Sequence, residues 1–307
     1  MKLSINFLNW QSQDIQDLDW RMINASVRKN GFCLIQHIQS QRKTLLELSY
    51  ACGDIQLHER SDGEGIVEVS SIGDSKQNHN SSVFRGLSEG VFPPHTDGAY
   101  LNTYYLDAGI LKEIAPPKLI ILQCVRSAVD GGESILVDCQ KILKDIQKQD
   151  RRLYEEILRP AALFYRGSNK SVNTPVFSQV HQGKYWIRFR DDVKVKISLQ
   201  KSMAKLFDNY IQDSQYHVEF KLPDNAFVLV DNLRMLHMRR AFTPNLDESH
   251  RVLRRTWIYN DELDGDIPVG MIPLSKAFND GTDYGRLPSP STQNLSICLK
   301  TSLGIEL

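Results

Sequence analysis

The sequence predicts a mainly β domain, a barrel or sandwich, with helices on its flanks, and three observations predict it. From 217 to 259 short apolar or alternating runs follow one another, separated by turn residues such as Pro223-Asp224-Asn225 and Asp231-Asn232. That is the pattern of strands joined by tight turns. Upstream, two amphipathic stretches bracket one short apolar run, so the chain opens as helix, strand, helix. Past 261 the composition shifts to Gly, Pro, Ser and Asp with little periodicity. The 307 residues are therefore expected to form one domain, 1–307, with a core of about 31–260. The remainder, 261–307, is an extension that wraps the domain or covers its mouth.

Taken in order, Ile15, Leu18, Met22, Ile23 and Val27 recur at roughly helical spacing between 14 and 30, and Gly31 supplies a C-cap. Residues 32–35 read as a buried strand. Ser40 is the expected cap of a second helix, which carries Leu45, Leu48 and Cys52 and stops at Gly53. The polar stretch 59–90 holds one strand at 66–69, and a loop of that length is either a wall or lid of a pocket or disordered. A buried strand follows at 118–125. Asp130-Gly131-Gly132 then turns the chain into 134–137, and Asp138 caps a helix through Ile146. Residues 185–190 alternate as a strand does. Leu199, Met203, Leu206, Tyr210 and Ile211 form a helical stripe that belongs to core packing.

Composition excludes some partners. Lysine plus arginine and aspartate plus glutamate are 37 each, so no global charge draws the chain to nucleic acid or to an anionic membrane. The five cysteines are scattered with no CxxC pair, which fits a reducing compartment better than a disulfide framework. No sustained apolar run opens the chain or approaches the roughly 20 residues of a membrane span. The expectation is a soluble, cytoplasmic protein whose partner is a small molecule.

The chemistry centres on Pro93-Pro94-His95-Thr96-Asp97-Gly98. If this run is extended, His95 and Asp97 point to one face, and an imidazole beside a carboxylate is half of a metal site. A second histidine on a later strand, with His237 as the candidate, completes the two-His-one-carboxylate triad. Its open positions suit non-haem Fe(II). His-x-Asp alone is weak evidence. The order of four features is stronger: His95-Thr96-Asp97, Gly131-Gly132-Glu133-Ser134, Asp231-Asn232 leading to His237, and the run from Arg251 to Arg255.

These features resemble the Fe(II)- and 2-oxoglutarate-dependent dioxygenases of the taurine dioxygenase and clavaminate synthase-like group, from about Gly31 to Tyr259. The resemblance implies a double-stranded β-helix, a cupin-like jelly roll with flanking helices. It makes His95, Asp97 and His237 the iron ligands, and Arg251, which follows His237 by the family's spacing, the partner of the distal carboxylate of 2-oxoglutarate. Ser134 stands where the family usually has Thr and offers that carboxylate a hydroxyl. The implied cofactor is Fe(II) and the co-substrates are 2-oxoglutarate and O2. The implied reaction oxidises an unactivated C–H bond of a small molecule by hydroxylation, desaturation or cyclisation, with release of succinate and CO2.

Strand alternation adds an independent reading. Arg251, Leu253 and Arg255 share one face and Arg254 faces away, toward solvent. Arg255 then either binds an anion of the prime substrate or pairs with an internal carboxylate. His58 lies where relatives place a pocket residue, and Tyr100 and Tyr104 follow the metal strand and line the pocket or pack on its rim. Two other functions are weighed, a cupin-like metal-dependent hydrolase or isomerase and a non-catalytic metabolite sensor. The first needs neither Arg251 nor the Gly-Gly turn, and the complete triad counts against the second. Halogenation is disfavoured because Asp97 fills the carboxylate position.

Overall fold

The computed structural model of the chain describes residues 6–12, 14–37, 39, 41–57, 60–70, 89–99, 104–107, 110–114, 116–159, 161–165, 171–180, 184–190, 193–195, 199–243, 251–259, 271–272 and 286–287. Two sheets carry the architecture. The larger runs Phe7–Trp10, Phe32–His37, Ala226–Asp231, Leu119–Arg126, Val252–Tyr259, Asp54–Gln56 and Arg286–Leu287, with Val67–Ser70 also paired to Val252–Tyr259. The smaller runs His217–Phe220, Ser134–Asp138, Met235–Arg239 and Phe92–His95. Neighbours are antiparallel except Phe7–Trp10, which pairs parallel to Phe32–His37.

The sheets pack through a shared core. Leu34, Ile120, Val228, Leu253 and Trp257 from the larger meet Leu136, Phe220 and Met235 from the smaller. Alternation with period two sends Phe227, Leu229 and Ile258 to the other face of the larger sheet, beneath helices Trp20–Asn30 and Arg42–Cys52. Helices Cys139–Gln149, Arg151–Ile157 and Gln200–Leu206 cover the outer face of the smaller sheet around Val137 and Leu236. Because both faces of the central strands are covered, 226–230 is buried at every position. That is why it reads as a continuous apolar run and not as an alternation.

Several boundaries differ from the sequence reading, for local reasons. The first helix begins at Trp20 and not at 14, because Ile15–Asp17 forms a 3-10 turn and Asp19 accepts from the Met22 amide as the true cap. The second is capped by Gln41, whose amide nitrogen bonds Thr44 Oγ1 in a reciprocal box; Ser40 lies outside the described residues. The stripe from Leu199 widens out of α geometry, passing from Gln200–Leu206 into a π-turn at Phe207–Ile211. Strand Phe7–Trp10 and helix Arg151–Ile157 were not read from the sequence at all.

Of the polar stretch 59–90, strand Val67–Ser70 is present and 71–88 lie outside the described residues. Of the expected extension 261–307, Met271–Ile272 pairs with Ile110–Ile114 and Arg286–Leu287 pairs with Asp54–Gln56, so it contributes strands. Its remaining residues lie outside the described ones.

The Gly-Gly turn is sterically required. Gly131 has φ +72°, and a Cβ there would stand 2.3 Å from the Ala241 carbonyl oxygen, where strand Asp130–Gly131 pairs with Phe242–Thr243. Gly132 has φ +75°, and a Cβ there would lie 3.5 Å from Arg251 Nε. The turn therefore brings bare backbone against the arginine.

Candidate active site

His237 and His95 are directly paired across the antiparallel strands Met235–Arg239 and Phe92–His95. Residues so paired share a face, and the two rings stand 4.0 Å apart between centroids. Asp97 arrives differently from the sequence expectation. The strand ends at His95, and Asp97 sits in the following turn, where Gly98 has φ +70°. What turns it inward is Asn232, fully buried, whose Oδ1 accepts from the Asp97 amide at 2.8 Å. Asn232 Nδ2 donates to the Asp97 and Pro117 carbonyls at 2.9 and 2.8 Å, and the Thr96 amide donates to the Phe189 carbonyl. The Nε2 atoms of both histidines come to lie 3.8 Å from Asp97 Oδ1. One donor atom from each of the three residues falls within 4.8 Å of the others.

The protonation of the cluster follows from its partners. His95 Nδ1 lies 2.9 Å from the Pro93 carbonyl, an acceptor, so that nitrogen carries the proton and Nε2 keeps its lone pair. Nε2 is buried and has no hydrogen-bond partner. Burial, with the neighbouring His237 next, pushes the His95 pKa well below the ordinary histidine value, which keeps the ring a neutral ligand. For Asp97 burial acts upward, but the charge of Arg255, followed by His237, outweighs it and holds the carboxyl well below the usual range. An ionised carboxylate and two imidazoles aimed at one point fit a divalent cation.

Arg255 is where the two sequence readings part. Its Nη1 donates to Asp97 Oδ1 at 2.9 Å and to Oδ2 at 3.0 Å, and Trp257 Nε1 donates to Oδ2 at 2.8 Å. The structure thus realises the buried ion pair, and its carboxylate is the metal-site aspartate. Of the two readings of Arg255 the structure shows the ion pair, with this guanidinium engaged by Asp97 while it also lines the cavity.

Behind the triad a cavity runs between the sheets. Leu122, Leu136, Phe220, Val228, Val230 and Leu253 form its walls, and it is shared by His237, Arg255, Arg251, Ser134 and Arg239. Arg251 and Arg255 are four residues apart along one face, about 13 Å at strand rise. Arg251 is buried, and no carboxylate of the described residues pairs with it. Its guanidinium stands 5.5 Å from the centroid of the Phe242 ring, which Arg239 also covers at 4.6 Å. Burial, then the charge of Arg251, pulls Arg239 down to about 10. Two guanidiniums in an apolar cavity make an anion site. Arg254 faces the other way, half covered, with Nε 3.7 Å from Glu68.

Tyr100 and His58 lie outside the described residues. Tyr104 begins strand Tyr104–Asp107, in a small separate sheet with Ile110–Ile114 and Met271–Ile272. Three contributors escaped the sequence reading as parts of the site: Asn232, Trp257 and Arg239. Alternation offered a signal for two of them, since Trp257 follows Arg255 by two and Arg239 follows His237 by two. Nothing in sequence spacing points to the backbone clamp made by Asn232.

Fold and site together define a β protein whose two facing sheets carry a His-x-Asp…His cluster with the donor set to hold a metal ion, beside a cavity lined by arginines. The chain belongs to the taurine catabolism dioxygenase TauD, TfdA family, whose pattern matches residues 4–257. It is 25% identical over 157 residues to a uridine-5'-phosphate dioxygenase of Amycolatopsis sp., a match covering 48% of this chain and 57% of that protein. The chain thus spans little more than half the length of this curated relative. Its fold is similar to that of PvcB, an Fe, alpha-ketoglutarate dependent oxygenase from an isonitrile synthetic pathway. That likeness has a TM-score of 0.57 and 17% identity, over 92% of this chain and 88% of that one. An asparagine oxygenase in complex with Fe(II), 2S,3S-3-hydroxyasparagine and succinate is similar at TM-score 0.59 and 15% identity, over 78% of each chain.

Proposed function

We propose that the protein is an Fe(II)- and 2-oxoglutarate-dependent oxygenase that oxidises a C–H bond of a small molecule, releasing succinate and CO2. The observation that carries this reading is the convergence of His95, the ionised Asp97 and His237 on one point, with Arg251, which pairs with no carboxylate of the described residues, lining the cavity that His237 borders. His95, Asp97 and His237 hold the iron. Arg251 grips the distal carboxylate of the keto acid, helped by the Ser134 hydroxyl at the same cavity wall. The apolar walls keep water from the reacting end. When bound, Fe(II) with 2-oxoglutarate and O2 supplies the oxidising power, and the protein's share is to hold one C–H bond of the substrate nearby.

The two facing sheets support a double-stranded β-helix core within a single domain. Four described cysteines are buried free thiols, which supports a cytoplasmic location; no helix among the described residues is long and apolar enough to cross a membrane. A metal-dependent hydrolase or isomerase would need the triad but not Arg251. The relatives differ in what they act on, a uridine phosphate in one and asparagine in another, so the substrate class is a polar small molecule. The test loads the protein with Fe(II), supplies 2-oxoglutarate and air, and measures succinate across amino acids, sulfonates, betaines and nucleotides. One of these is expected to accelerate succinate release. Absence of any Fe(II)-dependent succinate would contradict the proposal.

A further inference from the structure

The Asp97 carboxylate is held asymmetrically, and the asymmetry has a chemical consequence. The Trp257 indole donates to Oδ2 alone, while Oδ1 is the oxygen that both histidine Nε2 atoms approach. A carboxylate on a single bond rotates through a broad range, so nothing in Asp97 itself selects one oxygen. Trp257 does. Its ring is buried at 2% exposure between the sheets, and its position is fixed by pairing with Ile120 on one side and Gln56 on the other. Arg255 Nη1 reaches both oxygens, at 2.9 and 3.0 Å, and so selects neither.

We propose that Trp257 is a positioning residue that makes Asp97 a one-oxygen ligand, presenting Oδ1 to the metal and holding Oδ2 on the indole. This rests on the metal-centre reading above and adds to it. With three protein donor atoms on a six-coordinate ion, three positions stay open, enough for a keto acid binding through two oxygens and for O2. A carboxylate binding through both oxygens would remove one of them. Of the hydrogen bonds on Asp97, the share of Arg255 on Oδ1 competes with the metal and the bond from Trp257 does not.

Two measurements test this. In protein labelled with 15N-tryptophan, the Trp257 indole signal is assigned by its loss in Trp257→Phe. On addition of Zn(II), a diamagnetic stand-in, that N–H is expected to remain slow to exchange with solvent, as a bond retained on Oδ2 requires. Fast exchange on Zn(II) binding would overturn the inference. In the second, Trp257→Phe is expected to weaken Mn(II) binding about ten- to a hundredfold, the usual effect of losing a partner behind a metal ligand. Trp10→Phe removes an equally buried indole from the far side of the larger sheet and is expected to leave Mn(II) affinity unchanged. If Trp257→Phe binds Mn(II) as wild type does, the inference falls and the metal centre stands. A wild-type protein that binds neither ion overturns both.

Discussion

His237→Ala is expected to bring Fe(II)-dependent succinate formation down to background while the domain stays folded, as read by the succinate assay and a thermal melt. In the proposed centre His237 supplies one of three metal donors, and it adds little to the packing, since its side chain borders the cavity and is 13% exposed. A catalytic ligand set of this kind is only a small part of what holds so large a core together. Asp97→Ala is the less clean experiment, because it strands Arg255 and Trp257 in the interior. Removing one partner of a buried ion pair costs about 3–5 kcal/mol, so that variant is expected to melt earlier as well as to lose activity. Full activity in His237→Ala would remove His237 from the site.

Arg251→Ala is expected to raise the KM for 2-oxoglutarate about ten- to a hundredfold, the equivalent of about 1.5–3 kcal/mol for a lost charge-assisted contact. Arg251 has no carboxylate partner among the described residues, so its truncation strands no acid among them and the effect is read on the co-substrate. Arg254→Ala is the matched comparison, as it sits on the opposite face beside Glu68 and is expected to change that KM little. Were Arg254→Ala the variant that loses the co-substrate, the cavity behind the triad would not be the keto-acid site.

Much of the site was legible because its residues obey strand alternation or lie in short motifs. Arg251, Leu253 and Arg255 share a face as their spacing demands, and Leu253 and Trp257 sit in the inter-sheet core while Ile258 packs beneath the helices. His95 and His237 belong to different strands, and motif order suggested them as two donors of one site, while their pairing across the smaller sheet is seen only in the structure. Asp97 was named correctly as a neighbour of His95 but for the wrong geometric reason. Its placement depends on Asn232, 135 residues away in sequence, and contacts at that separation leave no periodic trace. The choice between a substrate role and an ion pair for Arg255 was likewise open to sequence, since alternation gives a face and not a partner. Among fold elements, helix Arg151–Ile157 was missed because it follows directly on Cys139–Gln149 with a cap, Asp150, shared between the two. The helix start at Trp20 was misplaced because two aspartates, Asp14 and Asp19, each cap a turn.

The most direct measurement is an anaerobic titration of the Fe(II)-loaded protein with 2-oxoglutarate, followed by visible absorption. A keto acid bound to the iron through two oxygens gives a metal-to-ligand charge-transfer band. The account predicts a band that saturates at one equivalent of 2-oxoglutarate in the wild type, requires higher keto-acid concentrations in Arg251→Ala and is absent in His237→Ala. A wild-type protein that binds Fe(II) yet develops no band at any 2-oxoglutarate concentration would contradict it.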